Sequence, residues 1–567
     1  MLYKAIYVVY IILVWLALSN LVELFCDSYT GIILRLFGGM KQTIANIMNV
    51  EGINMTTAQI GIVTAIGVYL VGMLIVGFLS SRNTNDVGDF YLGGRKLGPF
   101  VTAMSAEASD MSSYLLMGVP GLAYFSGLAD AGWTAIGLAI GTYLNWLFVA
   151  KRLRNYSAEI QAITIPEFFK KRFKDNSNIL LLIGAIAIII FFVPYTASGF
   201  SACGKLFKTL FNVDYQLAMV VSAIIIIGYT STGGFLAASR TDFIQSIIMT
   251  IALLIVLGYG ISNAGGLSAV IDNAESLKGY FTFSQTHSNV TGEGSPFKLF
   301  NIVTTMAWGL GYFGMPHVLL RFMAIKNPNQ LKLSRRIASI WVVFSLGIAV
   351  FLGIIARAMK DLPDMLDHSD LTSSSKAETL IVEIANMISK HGFAFALIGG
   401  LIIAGILAST MSTADSQLIA ASSAVSENII QDVFKVKMNE KMAMLTARLT
   451  LIVVAVLGIV LAWNPDSSVF NIVSFAWAGF GAVFGPVMIM ALFWKRANKY
   501  GALAGMLGGG GMIFIWKFAV RPMGGVWDLY ELLPAFLTGL ILIVIVSLLT
   551  PKPEDEIVEE FEKVKAM

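Results

Sequence analysis

The sequence predicts an all-α integral membrane protein with about 14 transmembrane helices. Of its 567 residues, 56% are hydrophobic and only 13% are charged, whereas soluble domains carry about 25% charged residues. Apolar runs of about 20 residues recur, each long enough to cross a hydrocarbon core. Runs such as 179–193 do not alternate polar and apolar residues, so they favour helices over the strands of a barrel.

The spans divide the chain into three parts. Residues 1–55 hold an extra helix at 4–26 and a segment at 29–50 that we expect to lie along the membrane interface. Residues 551–567 form a charged tail, expected to be solvated in the cytoplasm. Apolar runs predict spans near 4–26, 57–80, 99–126, 131–150, 178–208, 214–232, 242–262, 298–323, 337–358, 393–430, 444–463, 468–494, 500–520 and 530–550.

The charges of the loops predict the orientation. Loops 150–174 and 321–336 are rich in Lys and Arg, whereas loops 263–297 and 359–392 carry more acids than bases. Basic loops face the cytoplasm, so the N-terminus is expected inside the cell if helix 4–26 is retained. The alternative interpretation of 4–26 is a cleaved signal peptide.

A polar tract interrupts the span 99–126. Ser105–Ser113 contains four hydroxyls together with Glu107 and Asp110. A charge at the bilayer centre costs about 2.5–3.5 kcal/mol on insertion scales, so these carboxylates need a compensating partner. Clustered hard oxygens suit a small cation, which makes ion-coupled transport the leading hypothesis; no single role follows for Glu107.

A second interrupted span predicts an internal repeat. Gly and Pro residues break the span 298–323, as they do the span 99–126, and such breaks free backbone groups to bind solutes. Counting from each break gives five spans in 99–262 and five in 298–494. An odd number of spans inverts the second unit, so we predict a 5+5 inverted-repeat core. The breaking residues are Gly118, Pro120 and Gly121 in the first span and Gly309, Gly311, Gly314 and Pro316 in the second.

Several motifs identify a family. The sequence resembles the bacterial sodium/proline branch of the sodium:solute symporter family over about residues 57–550. We therefore predict a family domain at 56–550. The resemblance implies a LeuT-like transporter fold and sodium-coupled uptake of a small amino acid. It is carried by Gly93-Gly-Arg-Lys-Leu-Gly-Pro-Phe100, Ala108-Ser-Asp-Met-Ser112, Leu115-Leu-Met-Gly118, Trp308-Gly-Leu-Gly-Tyr-Phe-Gly314, Met411-Ser-Thr413 and Phe475-Ala-Trp-Ala-Gly-Phe-Gly-Ala482.

The resemblance implies a sodium site between the first broken helix and the span 393–430. Backbone oxygens come from the break and hydroxyls from the facing helix, where Ser409, Ser412 and Ser416 share one face. The alternative is that these hydroxyls bond their own helix or allow close packing. The matching sodium-binding positions are Ala108, Asp110, Met111, Ser409, Ser412 and Thr413.

A possible second cation or proton site involves Asp242, Asp415 and Ser416, because a family member with two sodium ions builds its second site from these regions. The alternative makes Asp242 a helix cap, with Thr241, at the cytoplasmic surface.

Arg95 and Asp89 match charged loop positions linked to function in the family; a surface ion pair is the alternative.

The substrate positions follow from the same motifs. A zwitterionic amino acid needs a helix end for its carboxylate and an apolar or aromatic wall for its ring. Tyr114, Met315 and Arg240 depart from the proline branch, which usually has Trp, Gln and Trp there. The matching substrate-binding positions are Ser112, Tyr114, Trp308, Tyr312 and Pro316.

The sequence thus predicts a multi-pass transporter of the cell (inner or plasma) membrane that takes up L-proline, or a proline-like amino acid, with sodium. The first alternative is a sodium symporter for pantothenate, a monocarboxylate or a sugar; the second is a sensor or channel on the same core. Sodium, the solute and the lipid bilayer are the expected partners, with no other cofactor and no nucleic acid. An enzyme is not expected, because the four histidines form no metal-spaced or triad pattern.

Overall fold

A computed structural model describes residues 56–81, 87–289, 291–362, 365 and 374–567. The predicted helix 4–26 and segment 29–50 lie outside these residues. Within them, ten helices are long and apolar enough to cross a membrane. Three further predicted spans also lie in the described part: two are interrupted helices, and the third contains the shorter apolar helix Tyr215–Gly228.

The first half of the chain runs through the first interrupted helix into a long, kinked helix. This helix, α9, spans Tyr215–Asn263. It is continuous in its hydrogen bonding but kinks at Gly234, whose φ of 63° and ψ of −178° leave the helical region. It therefore contains the two predicted spans 214–232 and 242–262. The helices are α1 Thr57–Ser81, α2 Val87–Leu92, α3 Pro99–Ser113, α4 Val119–Ser126, α5 Leu128–Leu144, α6 Ala150–Glu159, α7 Ile165–Arg172, α8 Ile179–Phe211, α9 Tyr215–Asn263 and α10 Leu267–Ser276.

The second half begins with a short antiparallel hairpin, β1 Gln285–His287 and β2 Gly294–Pro296, in which Thr286 faces Ser295. The second interrupted helix follows directly. The helices are α11 Leu299–Met306, α12 Pro316–Ala324, α13 Leu331–Ala358, α14 Leu380–Ser389, α15 Phe393–Ser423, α16 Glu440–Leu461, α17 Val469–Phe493, α18 Lys499–Ile515, α19 Leu532–Leu549 and α20 Asp555–Ala566.

Short irregular helices join several of these elements. The 310-helix Ala307–Gly314 replaces regular helix between α11 and α12. The π-helical segment Ala424–Val433 extends α15, which explains why the stretch predicted at 393–430 is too long for one regular span. The remaining π-helical turns are Tyr114–Gly118, Asn145–Val149 and Trp516–Val520, and the other 310 turns are Gly93–Arg95, Pro328–Gln330, Ser374–Thr379, Arg521–Met523 and Gly525–Trp527.

The interrupted helices are buried by their neighbours. Helix α3 packs against α9 and α15, while the 310-helix packs against α5 and α17. Close approach depends on glycine at Gly311, where a Cβ atom would overlap the indole of Trp477. Each interrupted helix is the first of five membrane-crossing stretches, which end with α9 and α17 respectively.

The charged tail is not simply solvated, contrary to the sequence prediction. It forms α20, whose Ile557, Phe561 and Val564 side chains are buried. The Phe561 ring lies 5.3 Å from the guanidinium of Arg172. Lys563 also pairs with Glu159 at 2.5 Å, so the tail packs against the ends of α6 and α7.

Candidate cation and solute site

The first interruption is narrower than the sequence predicted. Helix α3 continues through Asp110, and the kink is at Ser112, where φ is 40° and ψ is −170°. The Ser112 hydroxyl accepts a hydrogen bond from the Tyr114 amide at 3.2 Å, which stabilises this unusual conformation. Gly118, Pro120 and Gly121 do not break the chain further, because Pro120 lies in the first turn of α4, where no amide donor is needed.

The second interruption ends at Met315. This residue is extended, with φ of −74° and ψ of 108°, and Pro316 begins α12 directly after it. A residue before proline is driven away from helical angles, so the Met315-Pro316 step ends the 310-helix. The Tyr312 hydroxyl from this helix donates to Asp110 Oδ2 at 2.5 Å. That bond links the two interrupted helices.

A cluster of oxygens joins α3 to α15. Ser412 Oγ lies 2.8 Å from the backbone oxygen of Ala108 and 3.2 Å from that of Ser409. Thr413 Oγ1 lies 3.1 Å from the same Ser409 oxygen. All these residues are buried. The structure therefore brings together four of the six predicted sodium-binding positions as adjacent hard oxygens, which are the atoms that a small cation prefers.

The other two predicted sodium positions lie beside this cluster. The Met111 carbonyl accepts the Tyr114 amide. The Asp110 side chain bonds Tyr312, and its backbone oxygen accepts the hydroxyl of Tyr195 at 3.0 Å. Sequence reasoning missed Tyr195, since it lies within the long apolar run of α8 and no motif marks it.

An arginine occupies the place where the sequence predicted a second cation. Arg321 donates to Asp242 Oδ2 at 3.1 Å and to Ser416 Oγ at 2.5 Å. Its Nε bonds Ser105 Oγ at 3.0 Å. Asp415 accepts the hydroxyl of Thr230. A built-in guanidinium, rather than an open cation site, therefore lies between Asp242 and Ser416.

Two sequence interpretations are corrected by this pair. Asp242 is fully buried within α9, so it does not cap a helix at the surface. Arg321 is also buried, at 1% exposure, although we counted it among the bases of a cytoplasmic loop. A signal for the pair was present, because a carboxylate in a membrane span needs a cationic partner and Arg321 is the basic residue of an apolar segment.

Aromatic rings surround the two interruptions. Tyr114 stacks on Trp308 with centroids 5.5 Å apart, and Phe470 packs against both rings at 5.6 and 5.2 Å. Tyr530 also stacks on Trp308, with centroids 5.3 Å apart. The structure thus brings the predicted residues Tyr114 and Trp308 together, and it adds Phe470 and Tyr530, which no sequence motif indicated. Pro316 is buried at the start of α12.

A buried carboxylate fixes the start of α17, and with it Phe470. Glu378 accepts hydrogen bonds from the backbone amides of Val469 and Phe470, each at 3.1 Å. These amides lie at the N-terminus of α17 and therefore have no acceptor within the helix. Lys205 balances its charge, with Nζ 2.6 Å from Glu378 Oε2. This network holds Phe470 against the aromatic rings at the interruptions.

The loop before α3 is held by Arg95. Its guanidinium donates to the backbone oxygens of Met323 at 2.7 Å, Ala162 at 2.8 Å and Ser157 at 2.9 Å. Burial lowers the pKa of Arg95 to about 10, so the guanidinium stays charged at neutral pH. Asp89 instead pairs with Lys96 at 2.9 Å. Arg95 therefore ties the loop to the connection after α6 and to the end of α12.

Comparison with solved structures defines the class of fold. A Na+-coupled sialic acid symporter, solved in a substrate-bound outward-open state, superposes with a TM-score of 0.69 at 18% identity, covering 87% of this chain and 99% of its own. The transporter MhsT, solved with L-phenylalanine, gives a TM-score of 0.51 at 13% identity, covering 79% and 98%. The predicted LeuT-like fold of a broken-helix transporter is confirmed.

Comparison of sequences then gives the family. The sodium:solute symporter family matches residues 90–509. The sodium/proline symporter of Haemophilus influenzae is 40% identical over 88% of this chain and 96% of its own length. The osmoregulated proline transporter OpuE of Bacillus subtilis is 38% identical over 87% and 96%. This chain belongs to the sodium:solute symporter family, as its motifs predicted.

Proposed function

We propose that this chain is a secondary active transporter that couples the entry of sodium to the uptake of L-proline by alternating access. The proposal is supported by family membership and by the names of the two relatives described above, which are similar along nearly their whole length. The observation that carries it is the contact between Ser412 Oγ and the Ala108 oxygen at 2.8 Å, across the face where α3 meets α15.

Sodium binding would reorganise this contact. In the structure, the Ser412 and Thr413 hydroxyls donate to backbone oxygens of Ala108 and Ser409. A cation among these oxygens would turn the hydroxyl hydrogens away, so that their lone pairs face the ion. The ion would then join α3 to α15. Ala108, Asp110, Met111, Ser409, Ser412 and Thr413 are the residues proposed for this site.

Proline would lie beside this site, between the interruptions. The backbone amides near the kink at Ser112 suit its carboxylate, because backbone amides at a helix break attract anions. The ring faces an apolar wall of Trp308, Tyr312 and Pro316. The buried Tyr114 hydroxyl has no hydrogen-bond partner in the described structure, so it is available to a polar group of the solute.

The membrane potential and the sodium gradient supply enough free energy. One charge moving through 100 mV releases about 2.3 kcal/mol, and a tenfold sodium gradient adds about 1.4 kcal/mol. Together these free energies support accumulation of the solute by roughly several hundred-fold when one sodium ion enters per solute molecule. The chain therefore needs no organic cofactor and no chemical reaction to concentrate its solute.

The protein is a multi-pass membrane protein by its apolar helices and its family. The inner or plasma membrane and a cytoplasmic N-terminus belong to this proposal, and loop charge supports the orientation. Under the same proposal, Arg95 and the tail helix α20 lie on the cytoplasmic side.

The experiment is uptake of labelled L-proline into proteoliposomes across a range of sodium concentrations. Ser412→Ala should raise the sodium concentration for half-maximal uptake at least tenfold. The matched control is Ser423→Ala, on the same helix, whose hydroxyl bonds only its own helix at Ala420, 2.8 Å away. Uptake that continues unchanged when choline replaces sodium would refute sodium coupling.

The identity of the solute is tested separately by competition. Unlabelled proline should displace the label, whereas pantothenate, a monocarboxylate or a sugar should not. Sodium-dependent uptake of one of those three without uptake of proline would keep the coupling and reject the solute.

A further inference from the structure

Glu107 is a buried carboxylate that the proposed sodium and proline sites do not use. Its Oε1 atom accepts the Trp146 indole at 2.8 Å and the Thr142 hydroxyl at 3.0 Å. Its Oε2 atom has no hydrogen-bond partner among the described residues. Both donors are neutral, so they leave the charge of this carboxylate uncompensated.

Two more unpaired oxygens belong to the same group of side chains. Asp110 lies almost one helical turn after Glu107, and its Oδ1 atom is buried without a partner in the described structure. The Asn145 Oδ1 atom is also buried and has no hydrogen-bond partner among the described residues. Asn145 lies between Thr142 and Trp146 in sequence, on the helical stretch that holds Glu107.

Hydrogen bonds, together with the backbone of α3 and the side chain of Tyr312, connect these three residues in a closed ring. Asn145 donates to the Tyr312 backbone oxygen at 2.9 Å, and the Tyr312 hydroxyl donates to Asp110 at 2.5 Å. Asp110 and Glu107 are joined through α3, and Glu107 returns to the Asn145 stretch through Thr142 and Trp146. The three unpaired oxygens thus belong to buried residues of one ring.

The charges of this ring do not balance. It contains two carboxylates, and none of the ion pairs seen in the described residues includes either of them. The nearby Arg321 donates to His317, Ser105, Asp242 and Ser416 instead. A buried, unpaired carboxylate costs several kcal/mol, and water can fill its hydrogen bonds without neutralising it. One sodium ion beside Ala108 and Ser412 leaves a second negative charge.

We infer that Glu107 Oε2, Asp110 Oδ1 and Asn145 Oδ1 form a second sodium site, between α3, the stretch after α5 and the 310-helix. It shares Asp110 with the site at Ser412 but is otherwise distinct, because the Glu107 side chain bonds residues of α5 and the turn after it, whereas Ser412 is on α15. A carboxylate and an amide oxygen are hard ligands of the kind that alkali ions share with calcium and magnesium. This inference rests on the proposed function for its ion, but its test needs no transport.

The experiment counts sodium ions bound to the purified full-length protein with radioactive sodium, without any solute. Wild type should bind two ions per chain. Glu107→Gln, which keeps the shape and removes the charge, should bind one, and so should Ser412→Ala. Asn145→Ala, which keeps both carboxylates, should weaken one class of sites at least tenfold.

Controls separate this inference from the proposed function. Glu159→Gln, which changes a glutamate of the Lys563 pair outside the ring, should still bind two ions. One ion in wild type that is lost in Ser412→Ala and kept in Glu107→Gln would overturn the second site and leave the proposed function intact. No bound ion in wild type would overturn both. A proton released or bound through Glu107, with the sodium count unchanged, would overturn the assignment to sodium.

Discussion

Arg321 and Asp242 form an ion pair inside the transporter, with 3.1 Å between Nη2 and Oδ2 and with side-chain exposures of 1% and 0%. Asp242 is on α9 and Arg321 on α12, so the pair links the two repeats. Ser105 and Ser416 extend it to α3 and α15 through further hydrogen bonds to Arg321. One guanidinium thus connects α3 and α15, the two helices that carry the proposed sodium site at Ser412.

Removing one member of this pair should be costly. Arg321→Gln leaves a buried carboxylate without a counter-charge, and we expect a loss of about 3–5 kcal/mol in the free energy of unfolding. Adding Asp242→Asn should restore part of that loss, since no charge then remains. Lys563→Gln is the control, because it removes an exposed pair worth about 0–1 kcal/mol. Denaturant unfolding in detergent measures all four proteins; equal stability of Arg321→Gln and wild type would contradict the prediction.

The Tyr312 hydroxyl should set the affinity for sodium. Tyr312→Phe removes its bond to Asp110 but keeps the ring, which packs edge-on against Trp477 at 5.0 Å. A hydrogen bond to a charged group is worth about 1.5–3 kcal/mol, so we expect sodium affinity to fall about 10- to 100-fold. Tyr280→Phe is the matched control. Tyr280 lies after α10, and its buried hydroxyl donates to the backbone oxygen of Tyr124 rather than to a residue of the proposed sodium site. Sodium-binding titrations should show no change in the control; an equal loss in both variants would indicate a general effect on folding.

Part of the fold and of the site could be predicted from the sequence, because the relevant information is local. Apolar runs located the predicted spans that fall within the described residues, and the Gly-Pro cluster of the span 298–323 located the second interruption. The serines of α15 share a face because of helical periodicity, whereas their place opposite Ala108 was implied only by the resemblance to the family; the structure puts Ser412 Oγ 2.8 Å from the Ala108 oxygen. The kink, however, lies at Ser112 rather than at a glycine or proline, since its hydroxyl bond and its packing outweigh intrinsic preference.

Several contacts between distant helices could not be predicted. Nothing local marks Tyr195 as a partner of Asp110, or Glu378 as the residue that binds the first amides of α17. Loop charge also gave a wrong place for Arg321, because the number of charges in a loop does not distinguish a base at a helix end from one turned into the core. Such pairs arise only when the helices are packed together.

Glycine should be required at position 311. A Cβ at Gly311 would overlap the Trp477 indole, whose nitrogen donates to the Trp308 backbone oxygen at 2.7 Å. Gly311→Ala should therefore destabilise the protein by about 1–3 kcal/mol and weaken solute binding. Gly347→Ala is the control, because a Cβ there meets no atom within 4 Å. Thermal unfolding in detergent should separate the two; a Gly311→Ala protein as stable as the Gly347→Ala protein would show that Trp477 can move aside.

The tail helix α20 should be held mainly by Phe561. Its ring is buried to 5% exposure and contacts the Arg172 guanidinium. Phe561→Ala removes this contact, so trypsin should release the tail faster than in wild type. Glu559→Ala, on the exposed face of the same helix, is the control.

High salt should also speed the release of the tail helix α20 by trypsin. The pairs Lys563–Glu159 and Lys495–Glu562 are partly exposed, so 1 M salt, with a Debye length of about 3 Å, should weaken them and speed cleavage in every variant. The products are counted by mass spectrometry over time. Cleavage of Phe561→Ala at the wild-type rate would show instead that the ion pairs alone hold the tail, in which case salt should release it from both proteins equally.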